Sequence, residues 1–156
     1  MPQVPAGFQK QTSQKDPLTP EQRRLCMSRI KGKDTVPELL VRKPLFALGY
    51  RYRLHAKDLP GKPDLVFPKY GAVIFVHGCF WHGHDCHLFK WPSTRPDFWH
   101  RKIERNRQRD ILSESLLTES GWRVLNVWEC AIKGKSRRPL EDVIEEIHHW
   151  LSSDQL

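Results

Sequence analysis

The chain has no apolar run long enough to cross a membrane, and its first residues lack the hydrophobic stretch of a signal peptide. These absences predict a cytosolic protein with no membrane partner, in which thiols stay reduced and disulfides do not form. Cysteine is sparse, at four residues, so each one reads as a metal-ligand candidate ahead of a bridge. No internal repeat or domain boundary interrupts the 156 residues, which are enough for one domain with a real core. Acidic residues are in the minority: 18 Asp and Glu stand against 26 Lys and Arg, a net charge of +8. Basic side chains interleaved with six Trp and seven Phe favour a polyanion as partner.

Residues 1–17 are polar and aperiodic and read as a flexible basic tail, leaving 18–156 as a single domain. Thr19, Pro20 and Gln22 form a helix start with a capping box, and this helix is expected to run to about Ile30. Thr35 and Glu38 make a second capping box. The helix they open takes Leu39, Leu40, Phe46 and Leu48 as its apolar face and Gly49 as its C-cap, with a kink expected at Pro44. Residues 50–54 alternate as a half-exposed strand, 64–67 follow a Pro-Gly turn as a short strand, and 72–76 read as a buried strand. After an irregular stretch at 88–96 come a basic helix over 97–120 stopped by Gly121, and a strand over 122–128. The last element is a helix over 139–151 with Val143, Ile144, Ile147 and Leu151 on one face. The order predicts an α/β fold with a mixed central sheet flanked by helices.

Residues 73–87 are the densest chemistry in the chain. A run of buried-strand type is followed within fifteen residues by four histidines, two cysteines, an aspartate and the pair Phe80-Trp81. Cys79, His84 and Cys86, with Cys130 far downstream, are the thiolates and imidazole that zinc prefers, and four of them complete a closed structural site. The alternative makes Cys130 a core thiol and leaves the histidines at the surface. Cys26, beside Met27 in the first helix, fits a small buried thiol. Asp64 opens a strand, where a carboxylate is placed to bind Mg²⁺, a cation satisfied by few protein oxygens and several waters. Taken alone, Asp64 reads better as a turn carboxylate, and it is the company of Glu38 and the histidines that favours a catalytic role. Glu38 on the first turn of its helix is a candidate to hold a metal-bound water, and His77 and His82, bracketing the aromatic pair, are candidate general bases.

Gly61-Lys62-Pro63-Asp64 and the string Val73-Ile74-Phe75-Val76-His77-Gly78-Cys79-Phe80-Trp81-His82 resemble the very-short-patch repair (Vsr) mismatch endonucleases of bacteria. The resemblance continues through Phe98-Trp99 and Trp122-Arg123-Val124 to Trp128-Glu129-Cys130, covering roughly residues 21–150. It implies the PD-(D/E)XK restriction-endonuclease fold with a structural zinc. It also implies nicking of one strand 5′ to the thymine of a T:G mismatch, the lesion left by deamination of 5-methylcytosine. By position, Asp64 and the main-chain carbonyl of Val76 would bind Mg²⁺. His82 would be the base for the attacking water, and His77 and Glu38 would support phosphate and water. Cys79, His84, Cys86 and Cys130 match the family's zinc ligands. Phe80, Trp81 and Trp99 match aromatics that wedge into the duplex, and Met27 an apolar residue inserted from the other groove. The family further implies a monomer acting on nucleoid DNA in the bacterial cytoplasm, with mismatch-repair proteins or a cytosine methyltransferase system as partners.

The chain departs from that pattern in three places. The Glu-x-Lys of the superfamily's second catalytic strand is missing, Val76 stands where a threonine is expected, and Pro44 falls in the helix that carries Glu38. Two rival readings stand beside the mismatch endonuclease: a nickase of the same fold with another DNA target, and a non-catalytic zinc-stabilised DNA-binding module. His87 takes no role in any of them.

Overall fold

The computed structural model describes residues 19–28 and 33–153, and of residues 26–28 the backbone alone. The expected tail over 1–17 and the end of the first helix near Ile30 lie outside the described residues, as do the side chains of Cys26 and Met27. The elements follow in the order α1 (Pro20–Ser28), α2 (Val36–Ala47), β1 (Arg53–Leu54), β2 (Leu65–Phe67), β3 (Ala72–His77), α3 (Pro96–Glu119), β4 (Arg123–Trp128) and α4 (Leu140–Ser152). The four strands lie in the order β1-β2-β3-β4; the first two pairings are antiparallel and β3 pairs with β4 in parallel. The mixed sheet flanked by helices is therefore as expected.

Side-chain parity splits the core into two layers. Leu65, Phe67 and Ile74 point to one face and pack with Val41 and Leu45 of α2 and Val143, Ile144, Ile147 and Leu151 of α4. Val66, Val73 and Phe75 point to the other face and pack with Leu117 of α3. Strands covered on both sides read as continuous apolar runs, which is the pattern of β2 and β3. The α4 face is the predicted one.

The capping of α1 is the reciprocal box expected. Gln22 N–H donates to Thr19 Oγ1 and Thr19 N–H to Gln22 Oε1. In α2 the Glu38 N–H donates to Thr35 Oγ1 at 3.4 Å, but the Glu38 carboxylate reaches one residue further and accepts from Asp34 N–H at 3.0 Å. The buried face of α2 corrects the expectation: Glu38, Val41 and Leu45 are inside, while Leu40, Phe46 and Leu48 are exposed. Pro44 does not end the helix. It lies in the last turn, the one donor it lacks faces the carbonyl of exposed Leu40, and Leu48 N–H still donates to Pro44 at 3.0 Å. The strand expected over 50–54 shrinks to Arg53–Leu54, although Tyr50 is buried and Arg51 exposed as the alternation requires. Its partner β2 has only three residues before Pro68, which has no N–H to continue the ladder.

Candidate active site and metal centre

Parallel pairing of β3 with β4 sets His77 opposite Trp128, so Cys79 and Cys130 both come two residues past the same rung. The chain after β3 then turns tightly. Gly83 takes a left-handed φ of 58°, and a Cβ there would come within 2.6 Å of Ile103 on α3. Only glycine fits such an approach. Arg107 of α3 grips the carbonyl of Gly83, and Asn106 donates to the carbonyl of Trp81 at 2.8 Å, so the turn is clamped to the helix. His84 and Cys86 are thereby brought back to the strand ends.

Among the described residues, ligand atoms of Cys79, His84, Cys86 and Cys130 all lie within 4.8 Å of one another. Tetrahedral zinc with Zn–S and Zn–N bonds of roughly 2.0–2.3 Å spaces its donors roughly 3.5–4 Å apart, so this set fits the ion. The three thiols are free, and Cys130 Sγ lies 3.5 Å from His84 Nδ1. Burial pushes the Cys79 thiol up to about 12 and raises that of Cys130. Thiols so placed become thiolates only beside a compensating cation. The His84 ring stacks on Trp128 at 4.0 Å, which fixes its plane. His87 is outside the set: among the described residues its buried Nε2, against Gly134, has no hydrogen-bond partner.

Beside this cluster opens a cleft of about 550 Å³, walled by Asp64, Val76, His77, Trp81, His82 and Asp110 among others. Asp64 Oδ2 accepts from Val76 N–H at 2.7 Å, so the carboxylate lies against the Val76 main chain. Burial, opposed by that hydrogen bond and reinforced by the charge of Glu38, raises the Asp64 pKa from 3.8 to about 6. A carboxylate this deep is poorly solvated when ionised and gains from a hard cation; with room for water in the cleft, such a carboxylate fits Mg²⁺.

His77 and His82 meet in the cleft, Nδ1 to Nε2 at 3.2 Å, and His82 Nδ1 lies 2.5 Å from Asp110 Oδ2. An ionised carboxylate only accepts, so Asp110 puts the proton of His82 on Nδ1 and leaves Nε2 as the basic nitrogen. His77 is stacked on Phe75 at 5.4 Å, and burial, with the charge of His82, lowers its pKa to about 4, so the ring is neutral at pH 7.

Glu38 is not on the cleft wall. It is 1 % exposed and held by three donors: His55 Nε2 at 2.6 Å, Arg42 Nη1 at 3.0 Å and the Asp34 N–H. Its charge nonetheless acts on Asp64. Phe80, Trp81 and Trp99 form one aromatic group: Phe80 meets Trp81 at 5.1 Å and Trp99 at 5.4 Å, both edge to face. Phe80 and Trp81 are half-buried, whereas Trp99 lies behind them at 9 % exposure. Lys102 Nζ sits 5.4 Å from the Trp81 ring centre, and α3 carries Arg101, Arg105 and Arg109 along an adjoining groove.

Sequence reasoning missed Asp110 and His55. Asp110 had a signal, because Trp99, Ile103, Asn106, Asp110, Ser113 and Leu117 step by three and four along the inward face of α3. An acid in such a stripe is out of place unless something meets it. His55 had none, since its contact with Glu38 spans two separate elements.

The model of the family described as "DNA mismatch endonuclease Vsr" matches residues 15–88. A type II nicking enzyme of Xanthomonas oryzae, V.XorIIP, is 53 % identical over 117 residues, 75 % of this chain and 86 % of that protein. The type II nicking enzyme V.NmeAIP of Neisseria meningitidis is 46 % identical over 134 residues, 85 % of this chain and 96 % of that protein. The DNA mismatch endonuclease Vsr of Escherichia coli is 44 % identical over 128 residues, 82 % of each chain.

Proposed function

The chain belongs to the Vsr family of DNA mismatch endonucleases, and on that premise we propose that it nicks one DNA strand 5′ to the thymine of a T:G mismatch, with Mg²⁺ as cofactor and zinc as a structural ion. The observation that carries this reading is the meeting of Asp64 with the Asp110–His82–His77 chain in one cleft, directly beside Phe80 and Trp81. Membership of an endonuclease family sets aside the non-catalytic module.

Asp64 and the Val76 carbonyl would hold Mg²⁺, which when bound neutralises phosphate charge and makes water a better nucleophile. Valine has no hydroxyl, so its main chain is all it offers. His82 takes the proton of the attacking water at Nε2, the nitrogen that faces His77 Nδ1 at 3.2 Å, once the water replaces His77 as its partner, and Asp110 stabilises the imidazolium that results. One P–O bond forms from that water as the P–O bond to the leaving nucleotide breaks. His77, neutral and fixed by stacking, hydrogen-bonds the phosphate, and Glu38, expected to hold a water, instead acts on Asp64 through its charge from behind the cleft wall. Cys79, His84, Cys86 and Cys130 hold zinc, tying the turn after β3 to the end of β4 within a PD-(D/E)XK fold. Residues 18–156 act as one endonuclease domain, behind a basic tail over 1–17.

Phe80 and Trp81, backed by Trp99, insert beside the mismatch, with Met27 entering from the opposite groove. Unstacking costs a few kcal/mol per step, and least where pairing is already defective. A nuclease for undistorted DNA has no use for such a group, and this favours the mismatch over another target. The test is nicking of an end-labelled T:G duplex with Mg²⁺. The wild type is expected to nick it, and Asp64→Ala to leave it whole while keeping its zinc and fold. Nicking retained by Asp64→Ala refutes the assignment.

A further inference from the structure

The cleft has an imbalance of charge. Its described walls carry four carboxylates, Asp64, Asp110, Glu114 and Glu129, and a single lysine or arginine, Lys62. All four carboxylates have donors of their own, Asp64 the Val76 N–H. Asp110 takes the His82 ring, Glu129 takes the Cys79 N–H and the Lys133 ammonium, and Glu114 accepts from Asn126. Among the described residues the Lys62 ammonium has no such partner. A phosphodiester is an anion, and it becomes more anionic on the way to cleavage, so a cleft with this wall needs a cation beyond any bound metal.

The backbone points the same way. Lys62 has φ 51° and precedes a proline. Glycine or asparagine adopts this left-handed conformation at less cost than lysine, and a following proline disfavours it further. The loop is pinned on both sides. Lys62 N–H donates to Leu59 at 3.1 Å, and Ala56 N–H donates to the carbonyl of buried Pro63 at 3.2 Å. Gly61 sits so close to α3 that a Cβ would come 2.7 Å from Ser113 Cβ. What the pinned loop leaves exposed in the cleft, two residues from Asp64, is the lysine side chain. A residue held in a costly conformation at a site is there for its side chain.

We propose that Lys62 is the phosphate-binding cation of the cleft: its ammonium holds the phosphate at the nicked step and takes up part of the charge that builds on the non-bridging oxygens. This rests on the cleft being the hydrolytic centre. It is separate from the basic groove of α3, whose cations lie outside the cleft and suit flanking DNA backbone.

The test compares Lys62→Met, Lys62→Asn and Lys62→Arg on a T:G duplex with Mg²⁺, alongside Asp64→Ala. The methionine variant keeps the aliphatic stem without the charge. The asparagine variant suits the left-handed backbone, so its folding is not at issue. The kcat of both is expected to fall by about 100-fold, the scale of losing one donor to a developing anion, and Lys62→Arg recovers much of that loss. Binding is read separately, without Mg²⁺, in an Asp64→Asn background. There, removing the Lys62 charge lowers the slope of log affinity against log salt by about one, as expected for one phosphate contact. Wild-type nicking by Lys62→Met, an unchanged slope, or a Lys62→Arg enzyme as impaired as Lys62→Met overturns the proposal. Full activity in Asp64→Ala as well removes the reading of the cleft; an inactive Asp64→Ala beside an active Lys62→Met removes only the role of Lys62.

Discussion

Asp64→Asn is expected to make the protein more stable while removing its activity, by an amount that follows from the burial of the carboxylate. The Asp64 pKa stands near 6 instead of 3.8. Each unit is worth about 1.4 kcal/mol, so at pH 7 the ionised group costs about 3 kcal/mol of stability. Asparagine is nearly isosteric, carries no charge, and its carbonyl can keep the hydrogen bond from Val76 N–H. The variant should therefore gain about 2–3 kcal/mol in Mg²⁺-free, zinc-replete buffer, or about 5–10 °C in Tm for a chain of this size. The sign with pH is fixed by the direction of the shift. A carboxylate raised in the folded state favours folding fully below its unfolded pKa near 4, and that advantage is lost as pH rises through about 6. The gap between variant and wild type should thus be widest above pH 7 and close towards pH 4, the comparison cancelling groups common to both. Urea unfolding at pH 7.5, 6 and 4.5 measures it. Added Mg²⁺ should stabilise the wild type alone, because only its carboxylate offers the ion a charge. Equal stability at pH 7.5, or a gap that does not shrink at pH 4.5, refutes the reasoning.

Three other outcomes are expected. Asp110→Asn removes the charge that stabilises the His82 imidazolium and offers a donor that can compete for the wrong tautomer; single-turnover nicking should fall by roughly 10²–10⁴, the usual contribution of a placed base, with the circular dichroism spectrum unchanged. Cys130→Ser should lower bound zinc, measured by atomic absorption, and lower Tm, and a chelator should reproduce both in the wild type, because the four donors also tie β3 to β4. Phe80→Ala combined with Trp81→Ala should weaken binding to a T:G duplex more than to a matched one in a fluorescence titration, since only inserted rings gain from a weakened stack.

Much of the fold was legible because its pattern is local. The α4 stripe, the two covered strands and the α1 capping box each follow from spacing within one element. The buried face of α2 was not, because it includes a charged residue. Glu38, Val41 and Leu45 repeat as an inward stripe only once Glu38 is known to be held by His55 and Arg42. The alternation at Tyr50 and Arg51 was real, yet ladder pairing depends on how far β2 runs before Pro68, a property of the partner strand. At the site, Cys79, His84, Cys86, His77 and His82 stood out because their side-chain chemistry is unusual at that density, and Asp64 and Cys130 were singled out from their positions beside predicted strands. Asp110 and Lys62 are common residue types, and only the packing of α3 and the strained loop before Pro63 place them in the cleft.

The central claim, a hydrolytic centre coupled to an aromatic group that seeks defective pairing, is tested most directly by a rate ratio. Two end-labelled duplexes differing only in T:G versus T:A are incubated with the protein and Mg²⁺, and single-turnover nicking is followed on a denaturing gel. The account predicts one cut, 5′ to the mismatched thymine, in the T:G duplex and little or none in the T:A duplex. Equal cutting of the two, or cutting of neither, contradicts it.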